Sequence, residues 1–250
     1  MDNTTRVKWE TNPESTRRTS KREPIANSVL AALPRVAYES LKSGLEAVTL
    51  NFGEILYEPG QAISKVYFPS NSLVSLLTLV DDHSALEVGM VGREGMVGMS
   101  LTLGSAVSPV RALVQGAGTA LQMSAARFHK EFKRSPLLRR GLYRYLNALM
   151  AQITQTAACN RFHQVEGRLA RWLLMTSDRV RSDKFELTQE FLAHMLGVRR
   201  VGVTEAASVL QKKNLIEYRR GHITILDHAG LEAASCACYA LVKGMNDGRQ

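Results

Sequence analysis

The stretch "LTQEFLAHMLGVRRVGVTEAASVLQKKNLIEYRRGHITIL", Leu187 to Leu226, holds two short helical patterns, a glycine between them and a run of basic residues afterwards. Thr188 is a good N-cap, and Glu190 falls near the positive end of the first helix. Phe191, Leu192, Met195 and Leu196 supply its apolar face, and Gly197 stands where a helix stops in a left-handed turn. In the second pattern Val203, Ala206, Ala207 and Leu210 share one face. Val201, Thr204, Glu205, Ser208 and Lys212 point the other way, with Arg199 and Arg200 at the start.

Two such helices joined through a glycine match a helix-turn-helix whose second helix is free to enter a major groove. Small Ala206 and Ala207 suit close packing against the first helix. "NLIEYRRGHITIL" then reads as strand, tight turn and strand, the wing of a winged helix. Arg219, Arg220 and His222 sit at its tip, where side chains meet phosphates. A helical hairpin in an ordinary core would explain the two helices. It would not explain an outward polar face followed by a basic hairpin tip, so DNA reading is preferred.

Charge placement agrees. The net charge is +9. Residues 161–222 hold twelve Lys and Arg against seven Asp and Glu, whereas the longer segment 25–160 holds twelve against nine. The excess is densest in the C-terminal region, as a polyanionic partner requires.

Upstream, the segment from about Ala125 to Ser177 has helical period. Leu142, Leu146, Leu149, Ile153, Thr156 and Asn160 step by 4-3-4-3-4, an a/d seam. The seam suits either a helix packed on its own domain or a two-fold dimer helix.

Further upstream the period is two. Val48, Leu50 and Phe52 alternate with polar neighbours, and "KVYFP", "SLVSLLTLV", "ALEVGMV", "VRALVQGAG" and "TALQMS" read as short strands. "EPG", "DDH" and the glycines of "GREGMVGMSLTLGS" punctuate them, indicating an antiparallel sandwich or jelly roll. "NSVLAALPRVAYESLKSGLEAV" reads as two short helices split at Pro34, and residues 1–24 as a polar, disordered tail. The fold class expected is therefore α+β: a β-roll, a long helix and a winged helix-turn-helix.

Hydrophobic content of 45% and charged content of 22% are ordinary for a globular chain. No apolar run approaches the ~20 residues that span a bilayer, and the N-terminus lacks a secretory apolar core, so no membrane partner and a cytoplasmic address are expected. Three cysteines, Cys159, Cys236 and Cys238, suggest no disulfide framework. "CAC" near the end could bind a metal, but two sulfurs without nearby partners make a poor site, and idle thiols are preferred. His83, His129 and His163 are isolated, with no carboxylate at ligand spacing, which argues against a cupin-like metalloenzyme. The glycines at 89–98 lack the context of a nucleotide-binding loop, and no catalytic constellation is present, so neither enzyme activity, cofactor nor metal is expected.

Taken together, "GEILYEPGQ", "VGREGMVGM" and "LTQEFLAHMLGVRRVGVTEAASVLQKKNLIEYRRGHITILD" resemble the Crp/Fnr superfamily of bacterial transcription regulators over roughly Ile25 to Ala234. The resemblance implies a cyclic-nucleotide-binding-like β-roll over 25–132, a dimerisation helix over 133–163 and a DNA-binding winged helix over 164–235. It favours the dimer reading of the heptad seam.

The resemblance also places base reading on Arg200, Val201 and Glu205. Arg200 is suited to bidentate contact with guanine, whereas Val201 stands where well-known members carry a glutamate and can only touch a thymine methyl. Arg199 replaces a usual Ser/Thr. Thr188, Arg219 and Arg220 would hold the DNA backbone.

The effector pocket would comprise Gly95, Met96, Val97 and Gly98 with Ala106 and Val107. Met96 takes the position of the family's ribose-binding glutamate, and Ala106 and Val107 that of its phosphate-binding Arg-Ser pair. Neither substitution can serve, so cyclic AMP bound in the usual mode is not expected. With no cysteine in the first 158 residues, the N-terminal iron–sulfur cluster of the oxygen-sensing branch is excluded.

The expected partners are double-stranded DNA carrying a palindromic operator, a second copy of the chain, RNA polymerase and an unidentified small-molecule effector. The alternative is a small-molecule sensor whose C-terminal domain contacts a protein.

Overall fold

A computed structural model describes residues 25–80 and 85–246. The expected tail at 1–24 and the "DDH" turn with His83 lie outside the described residues.

Helices α1 (Ser28–Ala31) and α2 (Arg35–Lys42) are separated at Pro34, as its missing N–H dictates. Asn27 caps α1 with its side-chain oxygen, while its amide nitrogen donates to Pro69 O and Gly95 O, pinning the helix to the roll.

Seven antiparallel strands follow: β1 (Glu46–Leu50), β2 (Ile55–Tyr57), β3 (Lys65–Pro69), β4 (Leu73–Leu79), β5 (Ala85–Val91), β6 (Arg111–Gly116) and β7 (Gly118–Ser124). They form two sheets, ordered β1-β7-β3 and β2-β6-β4-β5. Between β5 and β6 a 3₁₀ turn, Met99–Leu103, is bounded by Gly98 and Gly104, both with positive φ.

Three helices lead out of the roll: α3 (Ala125–Arg134), α4 (Pro136–Phe162) and α5 (Val165–Val180). Ser135 Oγ accepts from Leu138 N, and Pro136 stands in the first turn, so α4 has a firm start. Only His163 and Gln164 separate α4 from α5. The C-terminal unit continues with β8 (Lys184–Glu186), α6 (Gln189–Leu196), α7 (Arg200–Lys212), β9 (Ile216–Arg219), β10 (His222–Ile225), α8 (His228–Ala234) and α9 (Cys238–Asn246). Helix α9 turns back and packs along α4.

Two hydrophobic cores result. One fills the roll and takes in Leu138, Leu142, Tyr145 and Leu149 of α4. The other centres on Trp172 and its neighbours in α5, gathers α6, α7 and the wing, and includes Leu73, Leu77 and Met90 from the roll. The winged helix is thus docked on the roll and does not hang from a free linker. Phe52 meets Phe191 across this junction at 5.7 Å between ring centroids.

Candidate nucleic-acid interface

The first helix of the motif is fixed at both ends. Thr188 Oγ1 accepts from Phe191 N at 3.1 Å. Gly197 ends α6 at φ 60°, ψ 44°, and Val198 N–H returns to Ala193 O at 3.0 Å. That left-handed residue turns the chain so that α7 crosses α6. Val203, Ala206, Ala207 and Leu210 of α7 are buried against α5 and α6, which leaves the opposite face to solvent.

Arg199, Arg200, Val201, Thr204 and Glu205 are all exposed on that face, and Ser208 is half-buried. Val201 is 60% exposed, a large apolar side chain standing in water among polar neighbours. Thr204 Oγ1 lies 2.9 Å from Gln189 Oε1 and 3.1 Å from Arg200 O, tying α7 to the start of α6.

The wing is a two-residue hairpin. Arg220 and Gly221 both have positive φ, 49° and 84°, as a turn matched to strand twist requires. Strand β10 pairs with β9 on one side and β8 on the other. Tyr218 OH donates to Leu187 O at 2.7 Å, and Leu187 N–H to Gly221 O at 2.6 Å, so the wing is anchored beside the N-terminus of α6. Burial pushes the Tyr218 hydroxyl up to about 12, keeping it a donor at neutral pH. Arg219, Arg220 and His222 are exposed at the tip, with His222 Nδ1 3.6 Å from Glu186 Oε1.

One open groove between α6, α7 and the wing is lined by Thr188, Arg200, Thr204, Ser208 and Arg220. Residues up to 32 positions apart in sequence therefore share one surface. The groove also presents the backbone start of α6, a natural seat for a phosphate.

The heptad seam is divided. Leu142, Leu149 and Thr156 are buried, the two leucines within this chain's own roll core, so a second helix has no access to them. Leu146, Ile153 and Asn160 are half-buried. Beside them Tyr143 and Met150 stand 49% and 59% exposed, with Ala157 exposed two turns further. The open stripe is accordingly Tyr143, Leu146, Met150, Ile153, Ala157 and Asn160, again at heptad spacing but rotated by one residue.

The residues aligned with an effector pocket are divided between the roll core and the surface. Met96 and Val97 are buried in the roll core, and the ring of Tyr145 lies directly over Gly95. Ala106 and Val107 sit on an exposed loop that pairs with 61–63. Gly98 takes φ 99°, open to glycine without strain.

The expectation that the cysteines lack partners is corrected. Cys159, Cys236 and Cys238 converge with His163 where α4 meets the α8–α9 turn. The reading along the chain missed this because 73 residues separate His163 from Cys236. The Cys-x₃-His spacing on a helix was the available signal, since it puts both side chains on one face.

Residues 167–234 match the family model of the Crp-like helix-turn-helix domain. No curated protein matches the chain. Among solved structures, FixK2 from Bradyrhizobium japonicum is similar at TM-score 0.65 and 14% identity, covering 77% of this chain and 98% of that one. The c-di-GMP responsive global regulator CLP of Xanthomonas campestris is similar at TM-score 0.64 and 18% identity, covering 78% and 100%. A CRP/FNR-family transcriptional regulator of Thermus thermophilus gives 0.64 and 21%, covering 76% and 98%. At these identities the likeness is one of fold.

The architecture and the matched domain define a helix-turn-helix, DNA-binding transcriptional regulator. Residues 167–234 are Crp-like, and the chain shares its fold with solved regulators of the Crp/Fnr family. Among the described residues, no helix is long and apolar enough to cross a membrane.

Proposed function

We propose that the protein is a homodimeric, sequence-specific regulator that acts in the cytoplasm by binding a two-fold operator, without catalysis. The observation that carries this reading is the exposed face of α7, with Arg200, Val201, Thr204 and Glu205 turned outward beside a wing bearing Arg219 and Arg220. Arg200 reads guanine, Val201 contacts a thymine methyl, and Glu205 accepts from a cytosine amine. Thr188, Arg199, Ser208, Arg219, Arg220 and His222 hold the backbone and set register. The two chains pair along the open stripe of α4, which places the recognition helices on half-sites one helical turn apart.

The β-roll acts as scaffold and sensor for an effector other than cyclic AMP in the family's usual mode. Buried Met96 offers no acceptor to a ribose, and exposed Ala106 and Val107 cannot neutralise a phosphate. RNA polymerase is the further partner such a regulator meets on a promoter.

Fluorescence anisotropy against duplexes tiling the gene's own upstream region, at two salt concentrations, tests the reading. Saturable, steeply salt-dependent binding to one tile, ~1000-fold above the others, is expected. Arg200→Glu should abolish that preference while the dimer persists. Equal, weak binding to every tile by a well-folded dimer would instead favour a protein partner.

A further inference from the structure

All three cysteines of the chain meet at one point, together with one histidine. Cys159 and His163 lie one turn apart at the end of α4, and His163 is that helix's C-cap. Cys236 and Cys238 flank Ala237 in the turn that opens α9. Gly167 lets this turn settle onto α5, since a Cβ there would stand 3.3 Å from Cys236 N. The Cys236 N–H donates to Gly167 O at 3.4 Å.

The three sulfurs and the imidazole nitrogen all lie within 4.8 Å of one another. Cys159 Sγ is 3.4 Å from Cys236 Sγ, and Cys238 Sγ is 3.3 Å from His163 Nδ1. A tetrahedral ion with metal–sulfur bonds of ~2.3 Å and a metal–nitrogen bond of ~2.0 Å sets its ligand atoms roughly 3.5–3.8 Å apart. The observed spread brackets that figure. Iron–sulfur clusters, whose thiolates sit on different irons, need their ligands spread wider. With three sulfurs, one nitrogen and no carboxylate in the set, the donors select a borderline-soft cation over magnesium or calcium.

A second observation is independent of the cluster. Arg168 and Arg171, buried in the first turns of α5, each have an Nε–H without a hydrogen-bond partner. Both guanidinium groups act electrostatically on Cys159 or Cys236. A divalent ion held by three thiolates and a neutral imidazole carries one net negative charge. Two buried cations of this kind supply counter-charge to such a centre, Arg171 sharing its field with the buried Glu87.

We propose that Cys159, His163, Cys236 and Cys238 hold one tetrahedral zinc-class cation that staples the end of α4 to the far end of the DNA-binding domain. Binding releases the three thiol protons to solvent and leaves the oxidation state of metal and sulfur unchanged. Cys159 comes before the two-residue joint between α4 and α5, His163 lies in it, and the other two ligands follow the winged helix. Arg168, beside the cluster, also donates to Leu196 O at the end of α6, a direct link from the centre to the helix-turn-helix. The ion therefore sets how α7 is presented relative to the α4 of the same chain. This last clause rests on the DNA-reading function proposed above.

The test uses the whole protein, purified under reducing conditions without chelator. Elemental analysis should give one zinc per chain, and replacement by cobalt should produce the intense visible bands of a tetrahedral thiolate site. Cys236→Ser should lose both signals. His163→Ala, at an exposed position, should keep the fold and shift the cobalt spectrum, which covers the case where the cysteine variant fails to fold. Absence of zinc together with a featureless cobalt titration, in protein whose three thiols are free, overturns the site. So does a reductant-reversible disulfide between Cys159 and Cys236 in metal-free protein. If the site loads, chelation should weaken operator binding at least tenfold. Unchanged affinity in cobalt-competent protein overturns the stapling role, and lack of any operator in fully metallated protein overturns the DNA reading alone.

Discussion

Trp172 on α5 donates its indole N–H to Glu87 on β5, with Nε1 2.9 Å from Oε1, and so bonds the winged-helix unit to the β-roll. Both side chains are buried. Ser75 Oγ lies 2.6 Å from the other carboxylate oxygen and also meets Gln115 Oε1. A serine hydroxyl has one proton to give. A protonated Glu87 completes the chain, donating to Ser75, which then donates to Gln115.

Burial, opposed by the bonds from Ser75 and Trp172 and by nearby Arg171 and Arg179, raises the Glu87 carboxyl from 4.5 to about 7. Between those values the folded protein holds a proton that the unfolded chain has released. Stability therefore falls as pH rises from 4.5 to 7, and the full cost applies above. Glu87→Gln mimics the protonated acid, accepting from Trp172 and donating to Ser75. It should stabilise the protein at pH 8 by an amount on the order of 3 kcal/mol, with the gain vanishing near pH 5. Urea unfolding at the two pH values measures this. A variant less stable than the parent at pH 8 would show that the charged carboxylate is the stabilising form.

Specificity on α7 should separate by residue. Arg200→Ala should cost about 1–3 kcal/mol at the operator and relax preference at one base pair. Arg219→Ala and Arg220→Ala should weaken all duplexes alike and each lower the salt slope by about 1. Val201→Glu should redirect one position from thymine towards cytosine. Selection of binding sites from random duplexes reads all three. An unchanged consensus for Val201→Glu would remove that side chain from the base-reading set.

The same substitution at two glycines should have opposite signs. Gly197 holds φ +60, and a Cβ there would stand 2.5 Å from Leu86 Cδ1 on β5. Left-handed strain and that collision should make Gly197→Ala about 1–2 kcal/mol less stable. Gly202 lies within α7, and nothing within 4 Å would meet its Cβ. Gly202→Ala should gain roughly 0.5–1 kcal/mol from helix propensity. Thermal melts of the two variants, run with the parent, decide the matter.

What could be read along the chain is what local chemistry dictates. The left-handed stop at Gly197, the cap at Thr188, the break at Pro34 and the Arg220–Gly221 turn each follow from one residue's backbone preference or hydrogen bonding. What could not be read depends on meetings at a distance. Leu142 and Leu146 have the same chemistry, and only the docking of α4 on the roll buries one and leaves the other half open. Met96 was recognisable as unfit to bind ribose, but that Tyr145 covers Gly95 needs the helix in place. Likewise "CAC" looked idle because Cys159 and His163 reach it only after α9 folds back along α4.

The division of the α4 seam gives a sharp pair of variants. Met150 is exposed, and it lies at the centre of the open stripe. Met150→Arg should leave a folded chain that no longer pairs, because two like charges would face each other across the two-fold axis. Leu142 is wholly buried against the roll. Leu142→Arg should instead unfold the domain, since an unpaired buried charge costs several kcal/mol. Light scattering with circular dichroism distinguishes the two, a folded monomer in the first case and lost structure in the second. A folded monomer from Leu142→Arg together with a persistent dimer from Met150→Arg would place the interface on the face of α4 that here covers the roll, and would require α4 to leave it.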